Sequence, residues 1–231
     1  MKSKYLQLVL LLAAIGCGVK GGGGAPGADS LGAAQNDSLF SKKYDSVTTK
    51  VLDISIPEPV RKYKVLLFSN NQVPDTFELL IPAGSIAKTQ SQFRIKTADN
   101  RVIYEESCDS RFFTYGIFEP DTLPKNGTQQ QDDAFVLHYA ASMTSRKVED
   151  YFQKSVDRFF EDLLPVKVQD SIAGVYGDVI DDVTDSVLYQ EALADTARKV
   201  ISMGCMGCEE GFEYICYSPK DGKAKIILAM D

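Results

Sequence analysis

The chain has 231 residues, a formal net charge of −7, and 44% hydrophobic residues, with twelve Phe and eleven Tyr but no Trp. Its acidic balance argues against nucleic acid, which needs basic patches, and against electrostatic adhesion to anionic lipid. Length and hydrophobic share suit one domain with a full core.

The N-terminus has three parts. Lys2 and Lys4 give a positive start, Leu6 to Ile15 is apolar apart from Gln7, and the small Gly16 precedes Cys17. A basic end, a short apolar core and a small-residue site together build a secretory signal. The apolar run is about half of the roughly twenty residues that a spanning helix needs, so it directs export without spanning. Ala14-Ile15-Gly16-Cys17 resembles the lipobox of bacterial lipoproteins, with Ala14 where that family favours Leu. The resemblance implies that residues 1–16 are a cleaved signal peptide and that Cys17 becomes a diacylated first residue. Acyl chains of the palmitate type would then hold the protein on a membrane of the cell envelope, facing the periplasm or exposed at the surface. Losing residues 1–16 removes two lysines and no acids, which takes the charge to −9.

Residues 17–46 read as anchor and tether. Gly18 to Ala34 contains Gly21-Gly22-Gly23-Gly24, Gly27 and Gly32 among small or polar residues, a composition that behaves as flexible coil. About twenty-five such residues span roughly 25–30 Å, enough to hold a domain clear of headgroups. Gly22, Gly24 and Gly27 match a GxGxxG fingerprint, but that motif needs a preceding strand and a following helix, and neither is expected here.

Residues 47–231 read as a single domain. From Tyr44 to about Gly116 the pattern is one of strands. Val51, Ile54 and Ile56 run up to Pro57-Glu58-Pro59, and Lys64 to Phe68 and Phe77 to Ile81 are short apolar runs bounded by Asn70-Asn71 and Pro82-Ala83-Gly84. Gln92 to Glu106 is the clearest hairpin, with Phe93 and Ile95 alternating with Arg94 and Lys96 and a turn at Asp99-Asn100. Arg111 to Phe118 is expected to be a further strand, and Glu119 to Asp133 a loop.

Val148, Phe152, Val156, Phe159 and Leu163 recur at helical spacing, which predicts a helix over Ser145–Leu164, capped by Thr144 or Ser145 and stopped by Pro165. A weaker stripe of Leu188, Ala192, Ala197 and Val200 predicts a second helix over Asp185–Met203. Phe212–Tyr217 and Ala224–Met230 flank Pro219-Lys220-Asp221-Gly222 as a closing hairpin. The expected fold class is α+β: a mainly antiparallel sheet with two main helices on one face and a C-terminal hairpin.

With Cys17 acylated, Cys108, Cys205, Cys208 and Cys216 remain as disulfide candidates in an oxidising compartment. Three connectivities are open. At least one bridge is expected within the C-terminal cluster, joining Cys216 to Cys205 or Cys208. The alternative is thiol–disulfide chemistry through Cys205-Met206-Gly207-Cys208. A reactive CxxC usually sits at a helix N-terminus, whereas this one follows a predicted helix beside Glu209 and Glu210. A zinc site would need a second half to the pattern, and haem attachment would need His where Glu209 stands.

His138 is the single histidine, set in Phe135-Val136-Leu137-His138-Tyr139, and is expected to be a core residue rather than a catalyst. There is no HExxH or GxSxG. Asp181-Asp182-Val183-Thr184-Asp185 resembles the DDxxD of isoprenoid synthases, but those are all-α, and here it reads as an acidic turn entering a helix N-terminus. Scattered carboxylates such as Glu105, Glu106 and Asp109 would be the acids of a hydrolase. No metal or other cofactor is expected.

Asp-Ser or Asp-Thr followed by a small or aliphatic residue occurs at Ser30, Ser38, Ser46, Thr122, Ser171, Ser186 and Thr196, where composition alone gives roughly one match. The triplet resembles the O-glycosylation sequon of Bacteroidota, which implies glycan on the tether-proximal Ser30, Ser38 and Ser46. With lipobox, glycine tether and sequons together, the chain resembles Bacteroidota envelope lipoproteins of unknown function. The expected role is a non-catalytic binding or assembly domain with a protein, glycan or small-ligand partner.

Overall fold

The computed structural model describes residues 41–49, 52, 54–120, 122–124, 127–161, 163–166, 183–206 and 211–230. The chain divides into two units, 1–41 and 42–231, and apart from Ser41 the described residues belong to the second.

That unit is α+β and mainly antiparallel sheet. Helix α1 covers 41–49. The strands β1 (Ser55–Ile56), β2 (Val60–Leu66), β3 (Asp75–Ile81), β4 (Gly84–Ser85), β5 (Gln90–Lys96) and β6 (Val102–Asp109) follow. After a 3-10 turn at Ser110–Thr114 come α2 (Gln129–Ala141), α3 (Ser145–Arg158), β7 (Leu164–Val166), α4 (Ser186–Ala194), β8 (Val200–Gly204), β9 (Phe212–Ser218) and β10 (Lys223–Met230). Two four-stranded sheets, ordered β2-β3-β5-β6 and β10-β9-β8-β7, carry the fold, with β1 and β4 as a small pair.

Alternation decides which side chains enter the core. Register stacks Phe77, Ile95 and Tyr104 across β3, β5 and β6, and beside them Leu79, Phe93 and Glu106. This face of the first sheet forms the main core with α3, whose Val148, Phe152 and Val156 are buried. The outer face bears charge instead, where Glu78 pairs with Lys96 and Arg61, and Arg94 with Glu105. In the second sheet, Ile215 and Tyr217 of β9 turn toward the main core. Tyr214 and Cys216 turn the other way, into a smaller core with Leu188 and Ala192 of α4. The second sheet thus lies between α4 and the main core.

The hairpin over Gln92–Glu106 is formed by β5 and β6, with Asn100 in the left-handed turn conformation at φ 64°. The closing hairpin is β9–β10, and Arg101 from the first turn donates a 2.9 Å hydrogen bond to the Gly222 carbonyl of the second.

Five local expectations are corrected. Residues 41–49 are helical rather than extended from Tyr44, and Tyr44 meets Phe118 edge-on with ring centroids 6.3 Å apart. Arg111–Phe118 is a 3-10 turn and further turns, because the Asp109 carboxylate accepts from Arg111 N at 2.9 Å and winds the chain at its start. The expected loop Glu119–Asp133 ends in α2, where the Gln131 side chain accepts from Thr128 N at 2.9 Å, half of a capping box. The second helix stops at Ala194. Asp195 N donates to Glu191 O at 3.0 Å and the Asp195 carboxylate accepts from Ala197 N at 3.0 Å, closing a turn. Beyond it the β-branched Val200 and Ile201 enter strand β8. The first predicted helix also ends early, at Arg158, where Lys64 donates to the carbonyls of Phe160 (2.7 Å) and Leu163 (3.0 Å). Pro165 then sits on β7, an edge strand, where its missing N–H is tolerated.

Candidate functional site

Cys17, Ser30, Ser38, Cys208, Ser171, Asp181 and Asp182 lie outside the described residues. Ser46 is exposed on α1, as are Thr122, Ser186 and Thr196 on their own segments. Two of the acids preceding these hydroxyls have structural roles. Asp185 caps α4 by accepting from Leu188 N at 3.0 Å, as an acidic entry to a helix should, and Asp195 closes the turn described above.

The expected bridge to Cys216 is not made: Cys108 and Cys216 are free, buried thiols. Strand register gives the reason. Cys216 lies opposite Val200, while Cys205 begins beyond the far end of β8, its N–H donating to Gly211 O at 3.1 Å. Five residues of strand separate Cys205 from Val200, roughly 16 Å at about 3.3 Å each, against a disulfide reach of under about 7 Å between Cα atoms. Cys205 takes no part in a bridge to Cys108 or Cys216, both of which are free. It is buried and follows a strand, without the helix N-terminus that favours thiolate.

Burial pushes the Cys108 thiol up to about 12, helped by the charges of Glu106 and Asp109. It pushes Cys216 up to about 11 against the opposing pull of Arg198. Native protein at neutral pH should therefore leave both thiols unlabelled by iodoacetamide, and unfolding in urea should expose both. Labelling of either thiol before unfolding would contradict their placement. The sign of the pH effect follows. An unfolded cysteine ionises near pH 8.5–9 and the buried one above it. Their contribution to stability is complete below that range and is lost as pH rises toward the folded values.

The scattered carboxylates are not brought together. Glu105 pairs with Arg94 on the outer face, and Asp109 with Arg111. Glu106 points into the core, where Tyr104 donates to it at 2.8 Å. Burial raises its carboxyl above the usual range against the lowering effect of that hydrogen bond, and Tyr104 is raised by burial and by the Glu106 charge. A raised acid is favourable when protonated, so its contribution is complete below pH about 4.3 and falls as pH rises through the folded value. Glu106→Gln should therefore stabilise the protein at pH 7 relative to pH 4, measured by urea midpoints. A larger gain at pH 4 would contradict the assignment.

His138 is exposed on α2, not in the core; the helix turns its alanine neighbour Ala140 inward instead. No group of three or more metal-ligating side chains occurs among the described residues, and no described helix is long and apolar enough to cross a membrane.

What the fold does assemble is a polar cleft where three separate segments meet. The loop after β2 supplies Phe68, Ser69 and Asn71, the link from α4 to β8 supplies Asp195, Ala197, Arg198 and Lys199, and the β9–β10 corner supplies Tyr217 and Pro219. The cleft holds about 180 Å³, below the usual several hundred of a drug-sized site. Both walls are held by short hydrogen bonds. Buried Asp75 accepts from Ser69 N at 2.6 Å and Ser69 Oγ at 2.8 Å, and Asn70 accepts from Gln72 N at 2.7 Å. Arg198 is committed to Glu191 at 2.8 Å and lies 3.9 Å from Asp195.

The Asn71 amide, the Lys199 ammonium and the Tyr217 hydroxyl differ from Arg198. None has a hydrogen bond or ion pair to another described residue. These polar side chains line one small cleft whose walls are braced by the hydrogen bonds above. Its residues come from positions 68 to 219, and no local pattern in the sequence unites them. Compared with family models, with characterised proteins and with solved structures, the chain matches none.

Proposed function

We propose that this chain is a lipid-anchored protein of the bacterial cell envelope whose α+β domain binds a small ligand, or one unit of a larger one, without catalysis. The signal, Cys17 and glycine tether read from the sequence support the location. The cleft supports binding, and the observation that carries that part is the set of uncommitted groups on Asn71, Lys199 and Tyr217 around a braced space. Preorganised polar groups bind with less ordering cost than mobile ones. The scattered acids are engaged separately, Glu106 with Tyr104, and Glu105 and Asp109 each with an arginine.

The test is thermal stability of the mature protein in detergent with a soluble envelope extract, for wild type and for Ala197→Trp, which fills the cleft from an exposed position. The extract should raise the melting temperature of wild type and leave the variant unmoved. Equal shifts, or none in either protein, would remove the cleft as the binding site.

A further inference from the structure

Resting on that reading, we infer that the cleft takes a carboxylate-bearing sugar unit, a hexuronate in chemical class. Charge sets the first requirement. Arg198 is already neutralised by Glu191 and Asp195, so Lys199 is the lining cation left for a ligand. Asp195, which lines the same cleft, is held by Arg198 at 3.9 Å and by the Ala197 N–H at 3.0 Å.

Hydrogen bonding sets the second. Four backbone donors of the lining are already taken: Ser69 N by the Asp75 carboxylate, Ala197 N by the Asp195 carboxylate, Asp195 N by Glu191 O and Arg198 N by Asp195 O. The side chains add chemistry suited to hydroxyls. The Ser69 Oγ–H is given to Asp75, leaving that oxygen to accept from a ligand. The Asn71 amide and Tyr217 phenol can each donate and accept. Phe68, Tyr217, Ala197 and Pro219 add apolar surface for the C–H face of a ring. The volume of about 180 Å³ admits one such unit and not a chain.

The test is calorimetric titration of the mature protein in detergent with galacturonate, galactose and N-acetylglycine, with circular dichroism to confirm that each variant is folded. Galacturonate should bind about tenfold more tightly than galactose, the effect of one charge-assisted hydrogen bond, and N-acetylglycine should not saturate. Lys199→Met should bring galacturonate down to the level of galactose measured on the same variant. Asn71→Ala should weaken both sugars alike.

Equal binding of the two sugars, or a Lys199→Met protein that still separates them, would overturn the carboxylate. N-acetylglycine binding as tightly as galacturonate would overturn the sugar. If none of the three binds while the envelope extract still stabilises wild type and not Ala197→Trp, this inference fails and the cleft reading stands. If the extract also has no effect, both fail.

Discussion

Phe93→Ala is expected to cost about 3–5 kcal/mol of unfolding free energy, the range for removing a fully buried aromatic ring. Phe93 is wholly buried on the central strand β5. Its ring centroid lies 6.2 Å from Phe77, 6.0 Å from Tyr104 and 5.6 Å from Phe159. The first two contacts knit β3, β5 and β6 into one sheet face. The third ties that face to the segment leaving α3, so truncation loses transfer energy, leaves a cavity and uncouples the helix from the sheet. Tyr63 serves as the control, 74% exposed on the outer face of β2, and Tyr63→Ala should stay within about 0.5 kcal/mol. Urea unfolding of the two variants side by side decides it. Similar midpoints would mean that the aromatic cluster does not organise the core.

Asp75→Ala should cost about 2–3 kcal/mol, because it removes a buried charged acceptor and leaves two donors on Ser69 without one. Asp75 is 1% exposed and receives both the Ser69 N–H and the Ser69 hydroxyl. These two bonds fix the Phe68–Asn71 wall of the cleft. The variant should therefore lose ligand-induced stabilisation at temperatures where it is still folded. Asp75→Asn keeps one side-chain acceptor and should fall between wild type and Ala in both measurements. If Asp75→Ala were destabilised yet still stabilised by the envelope extract as strongly as wild type, the wall would not depend on Asp75.

The fold class was legible in the sequence because alternation and turn chemistry coincide in its hairpins. Phe93 and Ile95 alternate with Arg94 and Lys96, and Asn100 adopts the left-handed conformation that its residue type favours. The segments that misled are those where composition and period disagree. Phe112, Phe113, Tyr115 and Phe118 have a strand's apolar content but are wound into turns by the Asp109 carboxylate. Ala197 and Val200 fit a helical stripe only if the turn closed by Asp195 is overlooked.

Cys216 illustrates a different limit. Its nearness to Cys205 and Cys208 in sequence suggested a bridge, but the β8–β9 register carries it toward Val200 and away from Cys205. The cleft was illegible for a related reason. Asn71, Lys199 and Tyr217 are ordinary polar residues near turns, and only the meeting of three distant segments gives them a common purpose.

The most direct test of an exported, lipid-held binding domain is the intact mass of native protein extracted from envelope, with phase partitioning of the same sample. The expected result is a chain that starts at Cys17, carries the added mass of diacylglycerol and partitions into detergent; further mass in hexose-sized steps would place glycan on it as well. A water-soluble chain that keeps residues 1–16 and carries no acyl group would contradict the anchor, and with it the envelope setting proposed for the cleft.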